Sequence, residues 1–219
     1  GTPQPIFYRG ADYRIAYDAK VEEALINSKI VHFSCWPISM EPARSTIEKV
    51  IRKAKEKGIL VGFDPNYHPM IWQHGHDAFR YIQTILPYID FVKPSRDDAE
   101  RLFGKDTDEN QIAKFLSLGA RFVILTLGKD GVLVSDGKDL IHFDSLADEV
   151  TDTTGAGDSF WAGFYAALIT GYVIRDAVRV GLASSAYKLK SVGAVADFPP
   201  FEELTELYQI GVDSIGNKK

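Results

Sequence analysis

The chain has 219 residues, a formal net charge of −5, 45% hydrophobic and 25% charged residues, which is the make-up of an ordinary globular protein long enough to bury a full core. The acidic balance argues against nucleic acid as the main partner, because no basic excess exists to neutralise backbone phosphates; no apolar run reaches the roughly 18 residues of a membrane span. Gly1-Thr2-Pro3-Gln4-Pro5 lacks the basic and apolar regions of a signal peptide, and the single Cys35 excludes an intrachain disulfide, which fits a reducing, cytoplasmic setting.

In chain order, Ile6-Phe7-Tyr8-Arg9 and Tyr13-Arg14-Ile15-Ala16-Tyr17 are short and aromatic and read as two strands around Gly10-Ala11-Asp12. Ile30-Val31-His32-Phe33 is a compact apolar strand, in which His32 reads as packed and not as a ligand. Ser39 is placed to cap a helix with Pro42 in its first turn. Ala43, Ile47, Val50, Ile51 and Ala54 mark the buried face of that helix; Lys49, Arg52, Lys53, Lys55 and Lys57 fall mostly on its solvated one. Gly58 ends it, and Ile59-Leu60-Val61-Gly62-Phe63 is a buried strand. Helical spacing over Ala78–Leu86 precedes a strand at Phe91-Val92. Two short helices follow, stopped by Gly104 and Gly119. Phe122–Leu125 is a strand, and Val132–Val134 with Leu140–Phe143 form a hairpin about Asp136-Gly137. Helices then begin near Ser159, Asp176 and Phe201. This alternation predicts a mostly parallel sheet with helices on both faces. Ligands in such sheets sit beyond the carboxyl ends of the strands, where Asp64 and Gly128 fall, so Asp64, Gly128 and Asp158 are expected to meet at one edge.

The stretch that carries chemistry is Asp152-Thr153-Thr154-Gly155-Ala156-Gly157-Asp158, followed by Phe160, Phe164 and Leu168 at helical spacing. A glycine turn that feeds a helix N-terminus presents free N–H groups and about half a positive charge, which suits a phosphate. Asp158 is the odd residue there, since a carboxylate repels that guest. It is either a general base or a helix cap. His74-Gly75-His76 reads as a surface loop, because no Cys or third clustered His supports a metal. Cys35 reads as a small buried side chain, and Phe160, Trp161, Phe164 and Tyr165 mostly as core.

The whole run Asp-Thr-Thr-Gly-Ala-Gly-Asp-Ser-Phe resembles the signature of the ribokinase-like carbohydrate kinases, the PfkB family. The resemblance implies a three-layer ribokinase-like α/β fold with a mostly parallel central sheet and the remnant of a small β lid, residues 1–17 being lid strands and 18–219 a nucleotide-binding α/β domain. It implies ATP-dependent transfer of the γ-phosphate to a sugar hydroxyl, on a fructose- or 2-keto-3-deoxygluconate-type substrate. A nucleoside kinase of the same fold, or a nucleotide-binding fragment without catalysis, stand as alternatives. Carried over residue by residue, Gly155, Ala156 and Gly157 form the anion hole and Asp158 is the base. Thr126-Leu127-Gly128-Lys129-Asp130-Gly131 resembles the family's nucleotide-contact turn, so Thr126, Gly128, Lys129 and Gly131, with Thr154 and Gly193, would contact ATP. Phe63-Asp64-Pro65-Asn66 is similar to the family's Asp-Pro-Asn segment; Asp64 and Asn66 would face the sugar, with Tyr8, Arg9 and Asp12 from the lid.

Lys93-Pro94-Ser95-Arg96-Asp97-Asp98 lies where the family has Asn-x-x-Glu, a segment tied to magnesium and phosphate; this chain offers Ser95 and Asp98. Asp98 is thus a candidate Mg2+ ligand, and Asp152 would organise the turn and a monovalent cation, K+. The implied partners are ATP and a small sugar, with no nucleic acid and no membrane, and a homodimer is left open because some members pair through their lids. The resemblance runs from about Phe7 to about Glu203. The family's earlier segments, with an acidic sugar ligand and a Gly-Gly-x-x-Asn run, find no counterpart here.

Overall fold

The computed structural model describes residues 7–72 and 77–211. They form two compact units. The first takes the chain up to Leu127 together with Leu133–Ile141, and the second takes Gly128–Val132 and the chain from His142 onward. Ile6 and the His74-Gly75-His76 loop lie outside the described residues.

In the first unit, α1 (Ala19–Ile26) leads into β1 (Ile30–Ser34), α2 (Cys35–Ile38), α3 (Ala43–Glu56) and β2 (Leu60–Asp64). Then come α4 (Ala78–Ile85), β3 (Phe91–Val92), α5 (Arg96–Phe103), α6 (Asp108–Ser117), β4 (Phe122–Thr126), β5 (Val132–Ser135) and β6 (Leu140–Phe143). The strands lie in the order β1-β2-β3-β4-β5-β6. The first four are parallel: Phe33 lies opposite Phe63, Phe63 opposite Val92, and Val92 opposite Val123. Each parallel step needs a crossover, and a helix supplies it each time. The link between β5 and β6 is too short for a crossover, so these two neighbours run antiparallel. This register aligns the carboxyl ends, with Ser34 opposite Asp64 and Ser95 bridged to Thr126.

The strands bury Val61, Phe63, Val92, Val123 and Leu125 completely, and Phe33 stacks on Phe63 with centroids 5.0 Å apart. Against them pack Val50, Ile51 and Ala54 of α3, Ile82 and Ile85 of α4, Ala99 of α5, and Ile112 and Phe115 of α6. On α3 the apolar spacing and the buried face coincide, while Lys49, Arg52 and Lys57 are exposed as expected; Lys53 pairs with Glu22 and Lys55 with Asp90. Asp90 is a buried carboxylate. It accepts from Val61 N (2.9 Å), Arg121 Nη1 (2.7 Å) and Lys55 Nζ (3.1 Å), and so fastens the entry to β3 onto β2.

Several local expectations are corrected. Residues 7–17 form no strand. They are tied down by side chains: Arg9 Nη1 donates to Ile71 O (2.8 Å), Arg9 Nη2 to Trp36 O (2.8 Å) and Thr46 Oγ1 to Ile15 O (3.0 Å). β-propensity without a partner strand does not make a strand. Ser39 closes the C-terminus of α2, and α3 has Pro42 as its N-cap without a side-chain bond. His32 is exposed, because strand alternation turns Phe33 inward and its neighbour outward on β1. Two helices went unread. α1 starts on an Asp18 cap, whose carboxylate accepts from Val21 N, and α2 is a single turn capped by Ser34.

The second unit is helical: α7 (Ala156–Thr170), α8 (Ile174–Leu189) and α9 (Phe201–Leu207). The short link between α7 and α8 makes them antiparallel neighbours. They approach closely because the contact is built of small residues. A Cβ added at Gly163 would lie 2.0 Å from Ser184 Oγ and 2.8 Å from the Val180 carbonyl oxygen; one at Gly181 would lie 3.0 Å from the Phe160 ring. Phe160, Trp161 and Phe164 are buried, as the spacing suggested.

Gly163→Ala should therefore destabilise the protein by about 1–3 kcal/mol through overpacking, against a gain of at most about 1 kcal/mol in helix propensity. Adding Ser184→Gly should restore only part of the loss, because the Val180 carbonyl stays in place; thermal melts of the single and double variants read this. Asp90→Ala leaves Val61 N–H unpaired in a buried position and should cost about 1.5–3 kcal/mol in a denaturant titration.

Candidate active site

The glycine turn of the second unit is built around Asp152. Its Oδ1 accepts from Thr154 N (2.9 Å) and Thr154 Oγ1 (2.8 Å), and its Oδ2 accepts from Gly193 N (2.7 Å). These bonds, first the Thr154 amide and then the Gly193 amide, hold its carboxyl down at about 2. Asp152 is therefore ionised at neutral pH. Its bonds stay intact until the pH falls through that value, the sign expected of a carboxylate whose acidity rises on folding.

Gly155 follows in the left-handed region, at φ 79°, and is the N-cap of α7. A Cβ there would stand 2.7 Å from the Ala194 carbonyl oxygen, so only glycine lets the turn rest on the 193–194 segment. Ala156 N donates to Thr153 O (3.2 Å), and Ser159 N is the first to join the helical ladder, on Gly155 O (2.9 Å). Between them, the N–H groups of Gly157 and Asp158 meet no backbone acceptor among the described residues. They are the orphan donors of a helix start. α7 thus begins three residues ahead of the expected Ser159.

Asp158 lies in the first turn of α7 and is exposed, with no hydrogen bond or ion pair among the described residues. The N-cap position belongs to Gly155, which removes the cap reading of Asp158. A carboxylate without a structural partner, beside unspent amide donors, can take a proton from a group brought to that helix end. In the same unit Gly128–Asp130 form a 3₁₀ turn closed by Gly131 N on Gly128 O (3.2 Å), and Lys129 on it is exposed.

The strand-end residues of the first unit form a second polar group. Asp64, the last residue of β2, pairs with Lys93 Nζ at 2.9 Å, both side chains largely buried. Asn66 is exposed and left-handed at φ 36°. Asp98 Oδ1 accepts from Tyr67 N (2.6 Å), and its Oδ2 accepts from Ser95 N (3.0 Å) and Ser95 Oγ (2.6 Å), a reciprocal cap on α5. Burial raises the Asp98 carboxyl above the usual range. Burial first, then the charges of Asp98 and Asp64, pushes up the Cys35 thiol, which sits fully buried beside them. Thr126 N donates to Pro94 O (2.9 Å) at the same strand ends.

Arg9 spends all five N–H groups: two on Asp12 Oδ2 (2.7 and 2.5 Å), two on Ser39 Oγ (2.6 Å) and Ile71 O, one on Trp36 O. It also lies over the Trp36 ring at 5.5 Å. Tyr8 beside it is 94% exposed. Among the described residues no three His, Cys, Asp or Glu side chains gather as a metal site, and no helix is long and apolar enough to cross a membrane. Sequence reading passed over Lys188, which is buried behind the glycine turn. Its spacing of four from Ser184 and eight from Val180 puts it on the packed face of α8, which is the signal that was available.

Comparison with known proteins gives the family and the fold. The family model for pfkB family carbohydrate kinases matches residues 4–200. An ATP-dependent 6-phosphofructokinase of Thermoanaerobacterium thermosaccharolyticum is 55% identical over 95% of this chain and 65% of its own length. The solved fructokinase of Halothermothrix orenii superposes with a TM-score of 0.71 at 38% identity, covering 87% of this chain and 63% of that one. A Vibrio cholerae O395 fructokinase double mutant, solved with fructose, ADP and potassium ion, gives a TM-score of 0.75 at 25% identity over 82% of this chain and 60% of that one. The chain spans a little under two thirds of the length of these relatives. Its fold is the ribokinase-like α/β fold, a mostly parallel six-stranded sheet flanked by helices. The chain belongs to the pfkB family of carbohydrate kinases.

Proposed function

We propose that the natural protein containing this chain is an ATP-dependent sugar kinase acting on a fructose-type sugar, free or already phosphorylated. The observation that carries the proposal is Asp158: an exposed carboxylate with no hydrogen-bond or ion-pair partner among the described residues, at the first turn of α7. The names of the relatives, fructokinase and 6-phosphofructokinase, support the substrate class.

In this reading Asp158 accepts the hydroxyl proton while the sugar oxygen bonds to the γ-phosphorus and the bond to the ADP oxygen breaks. The N–H groups of Gly157 and Asp158, on the turn formed by Gly155 and Ala156, face the charge that develops on the phosphoryl oxygens. Thr126, Gly128, Lys129, Gly131, Thr154 and Gly193 line the nucleotide. Asp64 and Asn66 meet the sugar, with Tyr8 as the open contact of the N-terminal segment; Arg9 and Asp12 act by holding that segment. Mg2+ would arrive largely on the nucleotide phosphates, with few protein ligands, as this ion commonly does. Asp98, committed to its cap, would reach it at most through water.

Two measurements on the longest natural form test this. Asp158→Asn keeps the shape and removes the base, so sugar phosphorylation should fall by about 10²–10⁴-fold. ATP affinity should hold or rise, because a charge near the γ-phosphate is gone. Retention of more than about a tenth of the parental rate, with chemistry rate-limiting, removes Asp158 from the role. We further propose that Asp64, Gly128 and Asp158 serve the same pair of substrates. Hydrogen exchange with ADP and with ADP plus sugar should then protect 126–131 and 152–158 in both, and 64–67 only when sugar is present. Protection confined to one of the three segments would count against this.

A further inference from the structure

The resemblance assigns a monovalent cation to the Asp152 region, and the structure puts a lysine there. Lys188, in the last turn of α8, has none of its surface exposed. Its Nζ donates to the backbone oxygens of Asp152 (2.9 Å) and Ser191 (3.2 Å). Asp152 opens the glycine turn. Ser191 and Gly193 belong to the loop after α8, which returns to the turn through Gly193 N on Asp152 Oδ2 and through the contact of Ala194 with Gly155.

The ammonium therefore ties the Asp152 end of the glycine turn, where the cation would sit, to the loop after α8. A potassium ion bound by protein wants backbone carbonyl oxygens and a nearby negative charge. A buried ammonium wants the same, since a charge taken from water must be paired or hydrogen-bonded. Lys188 has both: two carbonyls, and the Asp152 carboxylate, whose acidity its charge increases. A second unit charge about 4 Å away would lose about a thousandfold in affinity to repulsion. The residues present do not suit a potassium ion beside this lysine.

We propose that the Lys188 ammonium is a built-in replacement for a monovalent cation, holding the 152–154 and 191–193 segments together so that the glycine turn keeps its shape without one. Lys188 is on this view a positioning residue. The inference rests on reading that turn as the phosphate site, but its test does not involve phosphoryl transfer.

The experiment uses the full-length natural protein. Its melting temperature is measured in potassium, sodium and choline chlorides at equal ionic strength, and thallium(I) NMR reports direct occupancy of a potassium-type site. The parental protein should melt at the same temperature in all three salts and show no bound thallium signal. Lys188→Ala should melt lower in choline and recover by about 5–10 °C in potassium at about a hundred times its dissociation constant. It should also gain a thallium signal, and a lost packing contact would produce neither potassium selectivity nor that signal. A potassium-specific rise or a thallium signal in the parental protein, removed by Asp152→Asn, overturns the proposal. So does a folded Lys188→Ala that stays indifferent to the cation. Where that variant does not fold, the parental thallium spectrum decides. The Asp158→Asn rate leaves this outcome untouched, so failure of the one test is distinguishable from failure of the other.

Discussion

A backbone pressed onto a backbone sets the geometry of the second unit. Gly155 rests so close to the Ala194 carbonyl that the absence of a single Cβ decides whether the turn can exist. From that contact the helix start follows: with Gly155 left-handed, α7 begins at Ala156 and its first unspent amides are those of Gly157 and Asp158. The same economy of side chains recurs one helix deeper, where Gly163 lets α7 approach Ser184 and the Val180 carbonyl of α8. α8 in turn carries Lys188 to the underside of the turn. Small residues thus transmit position from the helix pair to the candidate catalytic end.

Three candidate aspartates, Asp98 in the first unit and Asp152 and Asp158 in the second, have different surroundings. Asp152 accepts three hydrogen bonds and is held ionised, which suits a fixed frame for the turn. Asp98 also accepts three, but in a buried place that raises its carboxyl, and its bonds close a helix cap. Asp158 is exposed and has no hydrogen-bond partner among the described residues. Of these three, Asp158 is the one without a structural partner among the described residues, which is what the proposed proton transfer needs, a distinction invisible at the level of residue type.

The two buried lysines make a parallel contrast. Lys93 is compensated by a carboxylate, Asp64, at 2.9 Å. Lys188 is compensated chiefly by carbonyl oxygens. A buried charge held by a carboxylate is neutralised within the pair, whereas one held by carbonyls projects part of its charge into the loop around it. Lys93 therefore adds little net charge to the strand ends, whereas Lys188 leaves part of its charge on the turn.

Periodicity and a single long motif were enough to read the parallel α/β architecture, the buried face of α3, the stops at Gly104 and Gly119, and the turn at 152–158. These features are local: a helix face recurs every three to four residues, and a glycine turn announces itself by composition. What the sequence did not reveal depends on partners far along the chain. Residues 7–17 have strand-like composition but meet no strand, because Arg9 and its neighbours spend their bonds on α2 and on Ile71. Ser39 looked like the start of one helix and is the end of another, since a cap is defined by which amide arrives, not by the residue that waits for it. Lys188 lies among apolar and small residues on a helix face, and its purpose appears only when the carbonyls of Asp152 and Ser191, brought by separate segments, close around its ammonium. Residue type and spacing determined the elements and named the candidate base; which carboxylate is left free, and which lysine stands in for a cation, were decided by tertiary packing, because hydrogen-bond satisfaction and burial are properties of neighbours in space and not in sequence.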